Sequence, residues 1–179
     1  MKVLIIILLI AFNCRAQESK DRKWFYPDRF TLQYAGGIGK YSLGVGYLIF
    51  NKKGNVDVHL GYIPLNIGNN LVTSTLKLTM DAWSFSSKKF TFYPFQYGAN
   101  LNYTFGNRFY VYESRKYYPI QTAIRPSLVV ACAVKKTIEN GSIKSLSVFM
   151  EASSNDFYLI NYFSNRVIPF DEIIVLGTG

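Results

Sequence analysis

Large apolar residues alternate with small or polar residues along most of this chain. The stretch KYSLGVGYLIF (40–50) has large side chains at odd positions and serine or glycine at the early even ones. A period of two is typical of a β-strand, because its successive side chains point to opposite faces. No helical period stands out after the N-terminal segment. The alternation predicts eight strands, over 30–35, 40–50, 56–62, 72–81, 93–105, 124–135, 146–153 and, less clearly, 172–179.

The predicted connections alternate in length. Short turns are predicted at 51–55, 86–89 and 137–142, and longer loops at 64–70, 107–119 and 154–171. The first connection, near Gly39, is the exception because it should be long and is short. Most strands approach or exceed the roughly 9–11 residues that a tilted strand needs to cross a bilayer. Short turns at one end and longer loops at the other are typical of outer-membrane barrels, whose short turns face the periplasm.

The two faces of the predicted strands differ in charge. In the first seven strands the large-residue face has no charged side chain, and the other face is rich in Gly, Ser, Thr and Asn. A Lys or Arg on a lipid-facing surface costs about 2–4 kcal/mol at the bilayer midplane, so that face should lack charge. The narrow interior of an eight-stranded barrel suits small residues. The pattern predicts an all-β, antiparallel, up-and-down, eight-stranded transmembrane β-barrel with its large residues facing lipid.

The N-terminus has the features of a secretory signal peptide. Lys2 precedes an apolar run over 3–12, and Cys14-Arg15-Ala16 fits a cleavage site. The predicted division is a signal peptide at 1–16, an N-terminal periplasmic segment at 17–29 and the barrel at 30–179. Alternatives are an uncleaved N-terminal anchor or lipidation of Cys14, which Phe and Asn just before the cysteine fit poorly. Cleavage would leave Cys132 as the sole cysteine, so no intrachain disulfide is expected.

Charge and aromatic content refine this prediction. The chain has 20 Lys+Arg against 11 Asp+Glu, an excess that can indicate nucleic-acid binding. Here, however, the lysines lie largely in or beside predicted turns, at 52–53, 88–89 and 135–136, so no nucleic-acid partner is expected. Aromatic residues make up 17% of the chain. Those at strand ends predict two interfacial girdles: Tyr41, Tyr62, Tyr103 and Phe105 at the outer ends, and Phe30 and Tyr93 at the periplasmic ends.

Four segments carry a resemblance to a known family: the signal ending CRAQ, the first hairpin FTLQYAGGIGKYSLGVGYLIF, the strand VDVHLGYIP and LNYTFG. With these, the chain resembles the small eight-stranded outer-membrane β-barrels of the OmpA and OmpX type, and is most similar to uncharacterised outer-membrane barrels of Bacteroidota. The resemblance covers most of residues 28–179. It implies fold and location, and it transfers no functional residue. The ending IIVLGTG lacks the terminal aromatic that such barrels usually carry, which leaves closure at the eighth strand open.

The inward face contains the candidate lumen chemistry. His59 stands two residues from Asp57 on that face, which could orient it as a general base. No serine stands in a motif beside it, so a hydrogen-bonded lumen histidine is the favoured interpretation. Buried charges persist only with partners. We therefore expect a closed polar network that blocks the lumen, with these candidates: Asp57, His59, Lys77, Asp81, Arg125, Lys135 and Glu151.

Two predicted loops contain candidate contact residues. In the loop at 107–119, Arg108, Arg115 and Lys116 lie among aromatic residues and suit lipopolysaccharide phosphates or a self-packed cap. The loop at 154–171 is apolar for a surface segment, and either docks a larger outer-membrane complex or folds over the barrel mouth. Its candidate contact residues are Phe157, Tyr158, Tyr162 and Phe163. No Cys/His cluster suggests a metal and no phosphate-binding motif is complete, so no cofactor is predicted.

The expected function is that of a non-enzymatic, monomeric outer-membrane barrel with a structural, accessory or docking role. Its expected partners are outer-membrane lipid, lipopolysaccharide and a larger outer-membrane complex. One alternative is a barrel enzyme that modifies lipid A. Another is a soluble secreted or periplasmic barrel that binds a small apolar ligand, which would require the two faces to be inverted.

Overall fold

A computed structural model describes residues 26–64, 70–106, 123–139, 143–165 and 169–179. Eight antiparallel strands, each beside its neighbours in sequence, close into one barrel. The strands are β1 (Arg29–Ala35), β2 (Tyr41–Ile49), β3 (Gly54–Ile63), β4 (Leu71–Ser87), β5 (Phe90–Phe105), β6 (Ile124–Thr137), β7 (Ser145–Asn155) and β8 (Val175–Thr178). The predicted all-β, up-and-down, eight-stranded barrel is confirmed. The predicted signal peptide and residues 17–25 lie outside the described residues.

The barrel has two ends that differ in their connections. The end with the β2–β3, β4–β5 and β6–β7 connections is called the short-turn end, and the opposite one the loop end. At the loop end β7 leads into helix α1 (Asp156–Asn165), a segment that the sequence predicted as loop. The side-chain oxygen Oδ1 of Asn155 accepts a hydrogen bond from the Tyr158 N–H at 2.9 Å, and this caps the helix start. No helix in the described ranges is long and apolar enough to span a membrane.

The short strand β8 closes the barrel. It pairs with β7 from Val175 to Thr178, and it pairs with β1 at Ala35 and Tyr34. Its start is later than predicted because residues 170–173 form a 3-10 turn. The backbone of Gly179 adds two hydrogen bonds to Phe149. The barrel is therefore closed without a terminal aromatic residue.

The β4–β5 hairpin is longer than predicted and contains bulges. Its pairing shifts between Asp81 and Phe85, and the β5–β6 pairing shifts between Tyr93 and Gln96. Pro94 lies in the second bulge, where its missing N–H does not interrupt a regular ladder. The bulge also changes the alternation of side chains. Phe92 and Phe95 are exposed and Tyr93 is half-buried, so Tyr93 does not take the exposed girdle position predicted for it.

The two faces of the barrel wall are oriented as predicted. Large side chains such as Leu32 and Leu128, at 71% and 61% exposure, point outward, and the small polar face fills the interior. An interior lined by hydroxyl and amide groups follows from the limited width of an eight-stranded barrel. The polar and charged residues buried there include Thr31, Gln33, Asn55, Asp57, His59, Thr75, Lys77, Asn100, Asn102 and Glu151.

Candidate functional site in the barrel lumen

An ion pair between non-adjacent strands crosses the lumen. Lys77 on β4 binds the Oε2 atom of Glu151 on β7, and the two side chains are only 4% and 0% exposed. The Gln33 amide joins this pair: its Nε2 donates to Glu151 Oε1 at 2.5 Å, and its Oε1 accepts from Lys77 Nζ at 3.4 Å. The Lys77 Nζ also lies 5.0 Å from the centroid of the Phe149 ring. These contacts connect three parts of the wall and obstruct the lumen.

A second ion pair lies beside the first. Arg29 Nε is 2.9 Å from Oδ1 of Asp57, whose side chain is fully buried. In the β3–β4 register Asp57 is directly opposite Lys77, so the two pairs form one balanced group of two cations and two carboxylates. The sequence prediction missed Arg29 because it placed that residue in the N-terminal segment. The signal that could have found it is its position opposite Gly46, which leaves room for the Arg29 side chain beside Asp57.

Arg29→Ala should lower the free energy of unfolding by about 1–3 kcal/mol, because it leaves a buried carboxylate without its cation. Urea unfolding of the refolded barrel in lipid vesicles would measure this change. Arg29→Lys is the control, since it keeps the positive charge and should restore much of the loss. Equal losses in both variants would contradict the ion-pair explanation and indicate that packing of the arginine stem matters instead.

His59 is fully buried in the lumen but lacks a catalytic arrangement. Neither of its ring nitrogens has a hydrogen-bond partner among the described residues, so the predicted hydrogen bond is not made with any of them. Its ring fits because it lies over Gly44: a Cβ added there would be 2.6 Å from the His59 Cε1 and Nδ1 atoms. Asp57, the carboxylate that could have oriented His59 as a general base, binds Arg29 instead.

The remaining predicted lumen charges lie apart from this central group. The Oδ1 atom of Asp81 accepts a hydrogen bond from Gln96 at 2.5 Å near the short-turn end, where Lys135 is half-buried. Arg125 Nη1 lies 3.5 Å from both carboxylate oxygens of Asp156 at the loop end. Of the candidates for a closed network, the contacts described here join Lys77 and Glu151, with Asp57 beside them, whereas Asp81 and Arg125 contact other residues.

The short β1–β2 connection forms a plug at the loop end. Ile38 is only 1% exposed because the turn folds into the barrel mouth. The Gly37 N–H donates to Ser153 Oγ at 3.1 Å, and the Gly37 carbonyl accepts from Asn102 Nδ2 at 2.9 Å. The Ile38 carbonyl accepts from Thr73 Oγ1 at 2.5 Å. Side chains from three strands thus hold the plug from inside the barrel.

The plug depends on glycine and covers a small cavity. Gly36 has a φ of +89° and Gly39 a φ of +154°, a region that side-chain-bearing residues rarely adopt. A cavity of about 140 Å³ lies next to the plug. Its polar lining includes Thr104, Ser127 and Arg125. The first connection, which the alternation of loop lengths predicts to be long, is instead a short turn that folds into the barrel mouth.

Thr73→Val should lower the free energy of unfolding by about 1 kcal/mol, because it removes the hydroxyl that binds the plug carbonyl while keeping the side-chain volume. The urea midpoint of the barrel in vesicles would report the loss. Thr73→Ser retains the hydroxyl and serves as the control, with a smaller expected loss. A Ser variant as unstable as the Val variant would show that the hydrogen bond to Ile38 does not hold the plug.

Helix α1 is anchored to the loop end at its start and is exposed farther along. The Arg125 guanidinium carbon is 5.5 Å from the centroid of the Phe157 ring, in addition to the Asp156 contact. Tyr158 and Tyr162 are half-buried. The exposed apolar side chains of the helix are Phe157, Ile160 and Phe163. The candidate residues Arg108, Arg115 and Lys116 lie outside the described residues.

Neither a metal-ligand cluster in the described residues nor similarity to known proteins assigns an activity to this arrangement. In the described part of the chain, no three His, Cys, Asp or Glu side chains group together as metal ligands would. No protein-family model matches the chain, and no curated protein or solved structure shows significant similarity to it. Inferences about function therefore depend on the chemistry of the barrel itself.

Proposed function

We propose that the chain is a monomeric, non-enzymatic outer-membrane β-barrel of the small eight-stranded class, with a structural or accessory role. The observation that carries this proposal is the exposed surface of the wall. Leucines of the wall, such as Leu60 and Leu128, are more than half exposed. An exposed apolar surface that continues along the barrel wall is unusual on a soluble monomer. Lipid is the solvent in which such a wall is stable, because closure of the sheet pairs its backbone groups.

The lumen supports a structural role over transport or ligand storage. It is crossed by the Lys77–Glu151 pair and covered by the Ile38 plug. A carrier of a small apolar ligand needs an apolar interior, whereas this interior is lined by charged and amide side chains. An enzyme acting on lipid A needs an activated nucleophile near lipid, and the buried His59 provides no such arrangement.

A heat-shift gel on purified outer membranes tests the proposal. Closed membrane barrels remain folded in unboiled SDS and migrate at a different apparent mass from the boiled chain. We expect the shift, and we expect the protein in the membrane fraction. Protein found in the soluble fraction with no shift would overturn the proposal and restore the soluble-barrel alternative.

Helix α1 is the surface that we propose for docking to a larger outer-membrane complex, because Ile160 and Phe163 are exposed on it. On a native gel of membranes solubilised in mild detergent, the wild-type chain should migrate with the complex. The double variant Ile160→Ser/Phe163→Ser should migrate as a free barrel. Phe50→Ser alters an exposed aromatic at the short-turn end and is the control. Wild-type migration as a free barrel would contradict docking.

A further inference from the structure

The β4–β5 hairpin carries an exposed aromatic surface at the short-turn end. Since β3 begins opposite Met80, the hairpin continues past the start of β3. In this extension Trp83 lies against Phe95, with ring centroids 5.8 Å apart, and Phe85 pairs with Phe92. All four rings are exposed, Trp83 and Phe85 by nearly two thirds. Residues 82–90 are all exposed, so side chains on both faces of the extension are accessible.

Lysines surround this aromatic surface. The exposed lysines at the short-turn end are Lys52, Lys53, Lys88, Lys89, Lys136 and Lys144. Lys136 Nζ lies 5.8 Å from the centroid of the Phe90 ring. Lys89 pairs with Glu139 at 3.2 Å, but both side chains are more than half exposed, so this pair leaves the positive charge largely available. Among the described residues of the loop end, Lys40 is the exposed lysine.

We propose that this lysine and aromatic surface binds the anionic headgroups of phospholipids in the leaflet at the short-turn end. The inference rests on the membrane location proposed above. Aromatic rings favour the headgroup level of a bilayer, and lysines extend their apolar stems along the membrane to place the ammonium group at phosphates. Near an anionic leaflet each lysine raises the binding constant for the membrane surface about fivefold.

Continuity with the apolar wall favours lipid over an acidic protein as the occupant. Phe95 stacks on Tyr97, with ring centroids 6.3 Å apart, and Tyr97 is on the exposed face of the barrel wall. The aromatic surface is thus the short-turn margin of the wall surface that we propose to contact acyl chains. A protein partner would have to displace lipid there, whereas a phospholipid headgroup reaches the lysines while its acyl chains stay on the wall.

Electron spin resonance of spin-labelled lipids tests this inference. The mature chain is reconstituted in phosphatidylcholine vesicles with a trace of spin-labelled phosphatidylglycerol or spin-labelled phosphatidylcholine. We expect the protein to select phosphatidylglycerol by about twofold or more at low salt, and less at high salt. In the triple variant Lys88→Gln/Lys89→Gln/Lys136→Gln, the association of phosphatidylglycerol with the protein, relative to that of phosphatidylcholine, should fall close to one. A heat-shift gel checks that this variant folds.

Two single variants form a matched control. Lys136 and Lys40 each lie 5.8 Å from an aromatic ring centroid, at opposite ends of the barrel. Lys136→Gln should lower the selectivity, and Lys40→Gln should leave it nearly unchanged. Equal losses, or no selectivity in the wild type, would overturn the inference. In both cases a motionally restricted lipid signal would still support the membrane barrel, whereas its absence would contradict the proposed function itself.

Discussion

Replacing Lys77 with Met should lower the free energy of unfolding by about 3–5 kcal/mol, because it leaves a buried carboxylate without its partner. Glu151 is fully buried, and after the substitution its remaining bonded neighbour in the described lumen is the Gln33 amide. An amide donor cannot replace an ammonium charge in such a setting. Urea unfolding of the barrel in lipid vesicles, followed by tryptophan fluorescence, measures the change.

Two further variants separate the cost of an unpaired charge from the value of the pair. The double variant Lys77→Met/Glu151→Leu removes both charges and should recover most of the lost stability, since apolar replacement of a buried pair is often neutral or stabilising. Lys89→Met breaks the exposed Lys89–Glu139 pair and should cost about 1 kcal/mol or less. A small loss for Lys77→Met, or no recovery in the double variant, would contradict the role of this pair in holding the lumen closed.

The fold followed from alternation because each strand faces two different environments. The lumen of an eight-stranded barrel is too narrow for many large side chains. Small residues such as Gly44 and Thr75 therefore identify the inner face even when their contacts are not known. Alternation fails where the wall bends. The bulge at Pro94 leaves Phe92 exposed and Tyr93 half-buried, and a strict period of two cannot predict that change.

The contacts of the lumen were less predictable because they join distant parts of the chain. The partner of Lys77 depends on the stagger of strands around the barrel, which brings Glu151 into contact with Lys77, whereas Arg125 pairs with Asp156. Arg29 was missed because it lies at the first residue of β1, where a pattern has no preceding repeat. The inward turn at Ile38 depends on hydrogen bonds to Thr73 and Ser153, residues that a local pattern does not connect.

Leu76→Arg should lower the free energy of unfolding in vesicles by about 2–4 kcal/mol, because it places a cation on the wall that we propose faces lipid. Leu76 is 49% exposed and lies between Val58 and Leu101 in the sheet register. It also adjoins Lys77, so it lies at the height of the ion pair across the lumen, far from both ends. In water the same substitution at an exposed site changes stability by only about 0.5 kcal/mol in either direction.

Leu146→Arg is the matched control for this experiment. Leu146 is 61% exposed and pairs with Lys136 at the short-turn end, where, in the proposed membrane, a new arginine would reach headgroups and water. Its expected cost is about 0–1 kcal/mol, because the penalty for charge declines toward the interface. A large difference between the two arginines would require a hydrocarbon layer around the middle of the wall. Equal and small effects would mean that water surrounds the whole wall, and the exposed leucines would then need a protein partner to cover them.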